Sequence, residues 1–327
     1  MTSPSKKPED ERKLFRMDWI VDTIGSEKRS DGTIDIVFKP DPAKYDEIFE
    51  NGELYGYKDK FSDIIIPVTV LKSVIFKKGT PIYYHPLKEP DLCKYLREIK
   101  SELLDKWDKK YNINPKLKPI EEYLATIVGK DAKFVIIYVD MAGSTNLSSN
   151  VDPDTNVKIN KIFLMQMARA LDNCKGYVFK YVGDCVIGIF PAEDNFTSTC
   201  DNAIQSAILM CAVIEKVLNP IFEEKGIPTI GCHIGLDIGY VRIDTMGEEN
   251  LGSNIDLIGR SMNVTAKIQG KAGFNDILLG RRIFELLHCS LQEGCEEVDL
   301  GDNWTIKDPD RDVIYQVYRY KNRLSNQ

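Results

Sequence analysis

The sequence predicts an α+β protein: a ferredoxin-like, antiparallel-rich sheet with helices packed on it, preceded by a small β-rich domain and a connecting helix. Three observations predict it. After about Lys133, apolar runs of strand length alternate with helical stripes in the order βαββαβ. Before Tyr84, β-branched and alternating runs are punctuated by Gly, Pro and Asp. Between these regions, apolar residues recur every three or four positions among charges.

Residues 1–16 are polar and charged and read as a disordered tail. Residues 17–88 form the expected β-rich domain, with "TIDIVFKP" alternating and "DIIIPVTVLKSVIF" rich in β-branched side chains. Its aromatics (Trp19, Phe38, Tyr45, Phe49, Tyr55, Tyr57 and Phe61) are expected to supply a small core rather than to line a ligand pocket. Residues 89–130 read as a helical connector. Leu92, Leu96, Ile99, Leu103 and Trp107 make one apolar stripe, followed by the linker "YNINPKLKP" and a short helix, "IEEYLATIV". That stripe has two open uses: dimerisation between an input domain and the next one, or packing on its own domain.

The second domain is expected over residues 131–322. "FVIIYVD" is a buried strand, and Ile159, Phe163, Met167 and Leu171 mark a first helix. "GYVFKYVGDCVIGIF" is a hairpin about Val182-Gly183-Asp184. A second helix, marked by Ala203, Ile204, Ala207, Ile208, Cys211, Ile214 and Leu218, is expected to stop at Pro220. "IGCHIGLDIGYVRIDTMG" reads as a strand pair broken at Gly239. A helix around Ser261–Gln269, the strand "DILLG", the helix "RRIFELLH" and strands ending in "VIYQVYRY" complete the order, with the helices expected on one face.

Composition narrows the function classes. Forty-three basic and 50 acidic side chains leave a net charge of -7, which advertises neither nucleic-acid nor membrane binding. The eight cysteines show no CxxC pair and no regular spacing, so they read as reduced, packed thiols. The first residues hold no apolar signal-peptide core, and no apolar run is expected to reach the length of a membrane span. The expectation is a soluble, cytoplasmic protein. The three histidines are dispersed, with no Ser/His/Asp or Cys/His grouping, and His233 reads as packing.

Two carboxylates carry the chemistry. Asp140 closes the strand of "FVIIYVDMAGSTNLS", and Asp184 sits in the hairpin turn of "KYVGDCVIGIF". Each lies where a strand meets a turn, free to project into a shared site. Two hard oxygen ligands converging on a triphosphate suit Mg²⁺ or Mn²⁺, because these ions prefer oxygen and retain waters. A lone Gly-Asp would be an ordinary turn pair; next to the "DMAGST" loop it reads as functional.

"YVDMAGSTNLS", "KYVGDCVIGIF", "CHIGLDIGYV" and "IDLIGRSMNVTAKIQG" occur in that order and together resemble the class III nucleotidyl cyclase domain, the adenylate and guanylate cyclase family. The resemblance runs from about Phe134 to Tyr318. It implies cyclisation of a nucleoside triphosphate to a 3′,5′-cyclic monophosphate and pyrophosphate, at composite sites between two domains of a homodimer. Asp140, Asp184 and the Met141 carbonyl would hold two Mg²⁺ or Mn²⁺ ions, with Gly143, Ser144 and Thr145 near the substrate. Lys180 and Asp256 stand where adenylate cyclases read the base. A Lys ammonium only donates, suiting adenine N1, and an Asp carboxylate only accepts, suiting the N6 amino group. Asn263 matches the family asparagine that orients the nucleotide.

Four residues later the family usually has an arginine, and this chain has Lys267, which keeps the charge but loses the planar fork. Arg260 is expected to share the phosphate role, and Lys307 matches a late lysine that grips the terminal phosphates. The departure raises two alternatives. One is a pyrimidine cyclase acting on UTP or CTP, since the "GR..N…AK" segment also resembles the bacterial pyrimidine cyclases of antiphage defence. The other is a catalytically weak, cyclase-like nucleotide-binding module. The "VGDCV" hairpin argues against a diguanylate cyclase. The ATP reading leads because Lys180 and Asp256 are both present. The β-rich domain is left as an input of unknown ligand.

Overall fold

The structure is a computed structural model that describes residues 21–28, 30, 34–40, 42, 45–60, 65–69, 92–107, 118–192, 196–248 and 252–321. The expected tail, residues 1–16, lies outside the described residues. Contacts within the chain divide it into two units, Met1–Pro86 and Leu87–Gln327.

In the first unit, β1 (Val21–Lys28) pairs antiparallel with β2 (Ile34–Pro40). A three-stranded antiparallel sheet follows, made of β3 (Tyr45–Glu50), β4 (Glu53–Asp59) and β5 (Ile65–Pro67). The expected aromatic core holds only in part. Tyr45 is buried, but Phe49 and Tyr55 are exposed, and Trp19 and Phe61 lie outside the described residues. The register of β3 on β4 slips between Ile48 and Phe49, and such a bulge re-aims the side chains after it.

The second unit opens with α1 (Leu92–Lys106), whose stripe packs on its own unit. Ile99 and Leu103 are buried, and Trp107 meets Phe222 edge-on with ring centroids 6.2 Å apart. Glu102 accepts a two-pronged bond from Arg169 at 2.8 and 2.9 Å, which holds its carboxyl down at about 2. Next come α2 (Lys118–Thr126), β6 (Asp131–Ala142), α3 (Ser144–Asn150), α4 (Pro153–Asn173) and the hairpin β7 (Tyr177–Val182) and β8 (Cys185–Pro191).

Helix α5 (Phe196–Val213) does not stop at Pro220. It widens into a π-turn at Ile214–Leu218 and continues as α6 (Asn219–Glu224), with Pro220 in the first turn of that last piece. The wider turn accommodates a proline, which has no amide proton to donate to the preceding turn. Thr197–Glu224 is long and apolar enough, by length and composition, to cross a membrane, which corrects the expectation that no run reaches that length. Its most apolar window is 72% buried inside the protein.

The remaining elements are β9 (Gly231–Glu248), β10 (Gly252–Ile258), α7 (Arg260–Gln269), β11 (Asp276–Gly280), α8 (Arg281–Leu286), α9 (Cys289–Gln292), β12 (Cys295–Glu297) and β13 (Val317–Tyr320). The sheet runs β12-β13-β11-β9-β6-β8-β7, with β10 also on β9. All its pairs are antiparallel except β9 with β11. β6 is an inner strand beside the central β9, and Phe134 through Ile137 are wholly buried. Burying each such side chain contributes roughly 1.5–3 kcal/mol.

Helices cover both faces rather than one. A Cβ on Gly188 of β8 would collide with Leu171 of α4 and with Ile137, which places α4 on the Ile137 face. Phe134 and Ile136, which alternate with Ile137, pack instead with Met262 of α7 and with Ile120 and Leu124 of α2. β9 is one continuous strand of 18 residues, so Gly239 does not break it. Gly239 is needed for close approach: a Cβ there would collide with Ser261 Oγ, and one on Gly235 would collide with the Gln269 amide nitrogen. The two glycines seat the two ends of α7 flat on the strand.

Candidate active site

The face of β6 that carries Phe134 and Ile136 also carries Tyr138 and Asp140, by strand alternation. Toward the end of the strand the cover thins, and Tyr138 and Asp140 are only half-buried. Asp184 lies in the turn between β7 and β8, and β8 runs beside β6 with Val186 opposite Val139. The register therefore delivers the Asp184 turn next to Asp140. Burial raises the Asp140 carboxyl above its ordinary range, and the charge of Asp184 raises it further. His233 and the Met141 amide partly offset this. The same two carboxylates, with burial as the first cause, push the Cys185 thiol up to about 12, so it is inert.

His233 is more than packing. It is the strand partner of Asp140 on β9, and its Nδ1 donates to the carbonyls of Ala272 and Gly273 at 2.8 and 3.0 Å. Gly143 ends β6 with φ 90°, a left-handed turn that favours glycine, and its carbonyl accepts from the Leu147 amide at 2.9 Å. The chain thereby turns directly into α3, whose first residues are Ser144 and Thr145; Ser144 is half-buried and Thr145 exposed.

Lys180 on β7 and Asp256 on β10 meet, Nζ to Oδ2, at 2.9 Å. The other Asp256 oxygen accepts from the Leu257 amide at 2.9 Å. A bulge between Val178 and Lys180 sets the ammonium 5.5 Å from the Phe179 ring. Both side chains remain more than one-third exposed. Tyr138 lies near this pair: burial raises its hydroxyl, and so do Cys185 and the charge of Asp256. Sequence reasoning missed Tyr138, whose alternation with Asp140 along β6 was the available signal; the place of His233 beside Asp140 comes from the pairing of β9 with β6, which no local pattern marks.

On α7, Ser261, Val264, Thr265 and Ile268 are buried, which turns Asn263 and Lys267 outward one turn apart. Arg260 begins the same exposed line and donates to the Lys307 carbonyl. Lys307 is exposed, in a short bridge with Ile314. The structure thus joins Arg260 to the Lys307 segment, while Lys267 stands about 10 Å further along the helix.

A hard divalent cation fits the Asp140 end. The Asp184 charge raises the cost of ionising Asp140, and a cation relieves that cost. Among the described residues no cluster of three His, Cys, Asp or Glu side chains stands ready for a metal. Two carboxylates beside main-chain oxygen are hard donors, a chemistry that fits Mg²⁺ or Mn²⁺ better than zinc.

A family described as the adenylate and guanylate cyclase catalytic domain matches residues 129–317. An adenylate cyclase of Anabaena cylindrica is 27% identical over 197 residues, 58% of this chain and 37% of that protein. A cytidylate cyclase of Escherichia coli is 24% identical over 257 residues, 74% of this chain and 53% of that one. A uridylate cyclase of Rhodovulum sp. (strain MB263) is 30% identical over 139 residues, 40% of this chain and 55% of that protein. The matches thus span between 37% and 55% of these relatives' length. Among solved structures, the adenylyl cyclase CyaB from P. aeruginosa superposes with a TM-score of 0.50 at 21% identity, covering 58% of this chain and 94% of that one. The guanylyl cyclase Cya2 gives 0.50 at 20% identity, covering 59% and 93%. These structures share the fold: a mixed α+β cyclase domain, here preceded by the small three-stranded sheet.

Proposed function

The chain belongs to the adenylate and guanylate cyclase catalytic-domain family, and from that premise we propose that it cyclises a nucleoside triphosphate, ATP first, to the 3′,5′-cyclic monophosphate and pyrophosphate. The observation that carries the choice of base is the Lys180–Asp256 contact at 2.9 Å. The pair offers a donor and an acceptor side by side. Adenine presents the complement, a ring nitrogen that accepts and an amino group that donates. Guanine and uracil present an oxygen and a ring N–H, the reverse polarity.

Cytosine has the same polarity as adenine, with N3 for N1 and the N4 amino group for N6. CTP is therefore the second reading, and the E. coli cytidylate cyclase, which aligns with 74% of this chain, favours it. UTP fits the pair poorly.

Two Mg²⁺ or Mn²⁺ ions held by Asp140, Asp184 and the Met141 carbonyl would neutralise the triphosphate and make the ribose 3′-hydroxyl more acidic. The remaining work falls to side chains. Asn263 orients the ribose, and Lys267, one turn along α7, meets the charge that develops on the phosphates. Lys267 offers a point charge where a guanidinium would offer a fork, so Arg260 and Lys307 share the phosphates. Each subunit of a cytoplasmic homodimer would give its carboxylate pair to one site and its Lys180–Asp256 pair to the other. The N-terminal unit would carry an input, and neither nucleic acid nor membrane would take part.

Mixing the chains tests this arrangement. Asp140→Ala protein, inactive alone, and Lys180→Ala protein, impaired alone, are expected to reach up to about a quarter of wild-type turnover when co-refolded, through one intact composite site per mixed dimer. Confirmed mixed dimers with no recovery would contradict it.

A further inference from the structure

The segment that carries Lys307 is fastened from beneath by a buried arginine. Arg281, the first residue of α8, has no exposed surface, and a guanidinium stays charged there. Its Nε and Nη2 fork onto Asp308 at 2.6 and 2.9 Å. Nη2 also reaches Asp310 at 2.6 Å, and Nη1 reaches Glu285 at 2.7 Å. Arg282 takes Asp310 from the other side at 2.9 and 3.0 Å, and Arg311 takes the second Glu285 oxygen at 2.7 Å. Three guanidiniums and three carboxylates balance.

Desolvation offsets most of the attraction in such a network, so it is a weak source of stability. What it fixes well is position, because each planar fork admits one geometry. The position fixed is that of Lys307. Asp308 is the next residue; its amide donates to the Val313 carbonyl at 2.9 Å, and the Tyr315 amide donates to Ile306 at 2.7 Å. Lys307 thus lies in a short ladder whose closing loop, residues 309–312, is gripped at Asp310 by Arg281 and Arg282 and reaches back through its own Arg311 to Glu285. From the other side Arg260, at the start of α7, donates to the Lys307 carbonyl. The arginine network and α7 therefore hold the same short segment from two directions.

We propose that Arg281 is a positioning residue which, through Asp308, holds the Lys307 ammonium against the polyphosphate in register with Asn263 and Lys267. The proposal rests on the reading of Lys307 as a phosphate contact. Binding of inorganic tripolyphosphate with Mg²⁺ to the full-length chain, measured by titration calorimetry, reads this grip without base or turnover. Lys307→Ala is expected to weaken binding on the order of ten-fold, the loss of one charge-assisted contact. Arg281→Lys keeps the charge but not the fork, and is expected to weaken binding by a similar factor. The double variant should bind no more weakly than Lys307→Ala alone.

Wild-type affinity in Arg281→Lys, or losses that multiply in the double variant, would overturn the positioning role. Wild-type affinity in Lys307→Ala, or a wild-type chain that does not bind tripolyphosphate, would overturn the phosphate reading beneath it. If Arg281→Lys fails to fold, Asp310→Asn loosens the same loop at its partly exposed edge and carries the same comparison.

Discussion

Asp140 with Asp184, and Lys180 with Asp256, are both pairs that strands bring together, yet their electrostatics are opposite. In the first pair two like charges meet at strand ends, and the Asp140 carboxyl is raised by burial and then by its neighbour. In the second, opposite charges touch at 2.9 Å while still more than one-third exposed. An ion pair so exposed is worth at most about 1 kcal/mol, so it holds little of the fold together. The difference separates two kinds of recognition. A repelling pair calls for a cation between its members. A self-satisfied pair gives up its internal contact only to a ligand edge that offers both an acceptor and a donor.

The largest expected effect removes the first pair. Asp140→Ala or Asp184→Ala should cut pyrophosphate release from the triphosphate by on the order of a thousand-fold, the several kcal/mol that metal charge supplies. Thermal unfolding should show no loss of stability, because a repulsion has gone. Retained pyrophosphate release would mean that the repelling pair is no metal seat.

Reversing the second pair should act on selectivity. Lys180→Glu leaves two acceptors facing the base, and kcat/KM for ATP is expected to fall by roughly 10–100-fold, with ATP losing its rank among the four triphosphates. An unchanged ranking, measured under competition, would remove the pair from base reading.

A third carboxylate sharpens the contrast at smaller scale. Asp237 is buried under α7 between Gly235 and Gly239, where it accepts from the Tyr315 hydroxyl at 2.7 Å and the Ile238 amide at 2.9 Å. Burial pushes its carboxyl up to about 6 from the ordinary 3.8. The unfolded chain loses this proton first as pH rises, so stability declines between these two values and levels off above them. The cost at neutral pH is about 3 kcal/mol. Asp237→Asn should flatten that slope in urea unfolding followed from about pH 4 to pH 7. An identical slope would show that Asp237 gains no proton on folding.

The sequence makes Asp140, Asp184 and Lys180 visible because each lies beside a strong β run, where alternation survives in the residue order. Asp256 is visible only by its chemistry. Its strand, "GSNIDLI", is short and half polar, and nothing local marks it as the partner of Lys180. Gly239 reads as a break because glycine signals a turn, while its real constraint is Ser261, which no local pattern can supply. Pro220 reads as a stop because the π-turn that absorbs it has no residue signature. Nothing local marks Arg281, in the helix "RRIFELLH", as buried, since its carboxylate partners Asp308 and Asp310 come 27 and 29 residues later. Short-range order was legible; close approach between distant elements was not.

The most direct measurement offers the purified chain ATP, CTP, GTP and UTP separately with Mn²⁺ and identifies the products by mass. The paired Lys180 and Asp256 predict cyclic AMP with pyrophosphate as the main product, cyclic CMP second, and little from GTP or UTP. Cyclic UMP or cyclic GMP as the main product, or no cyclic product from any triphosphate, would contradict the account.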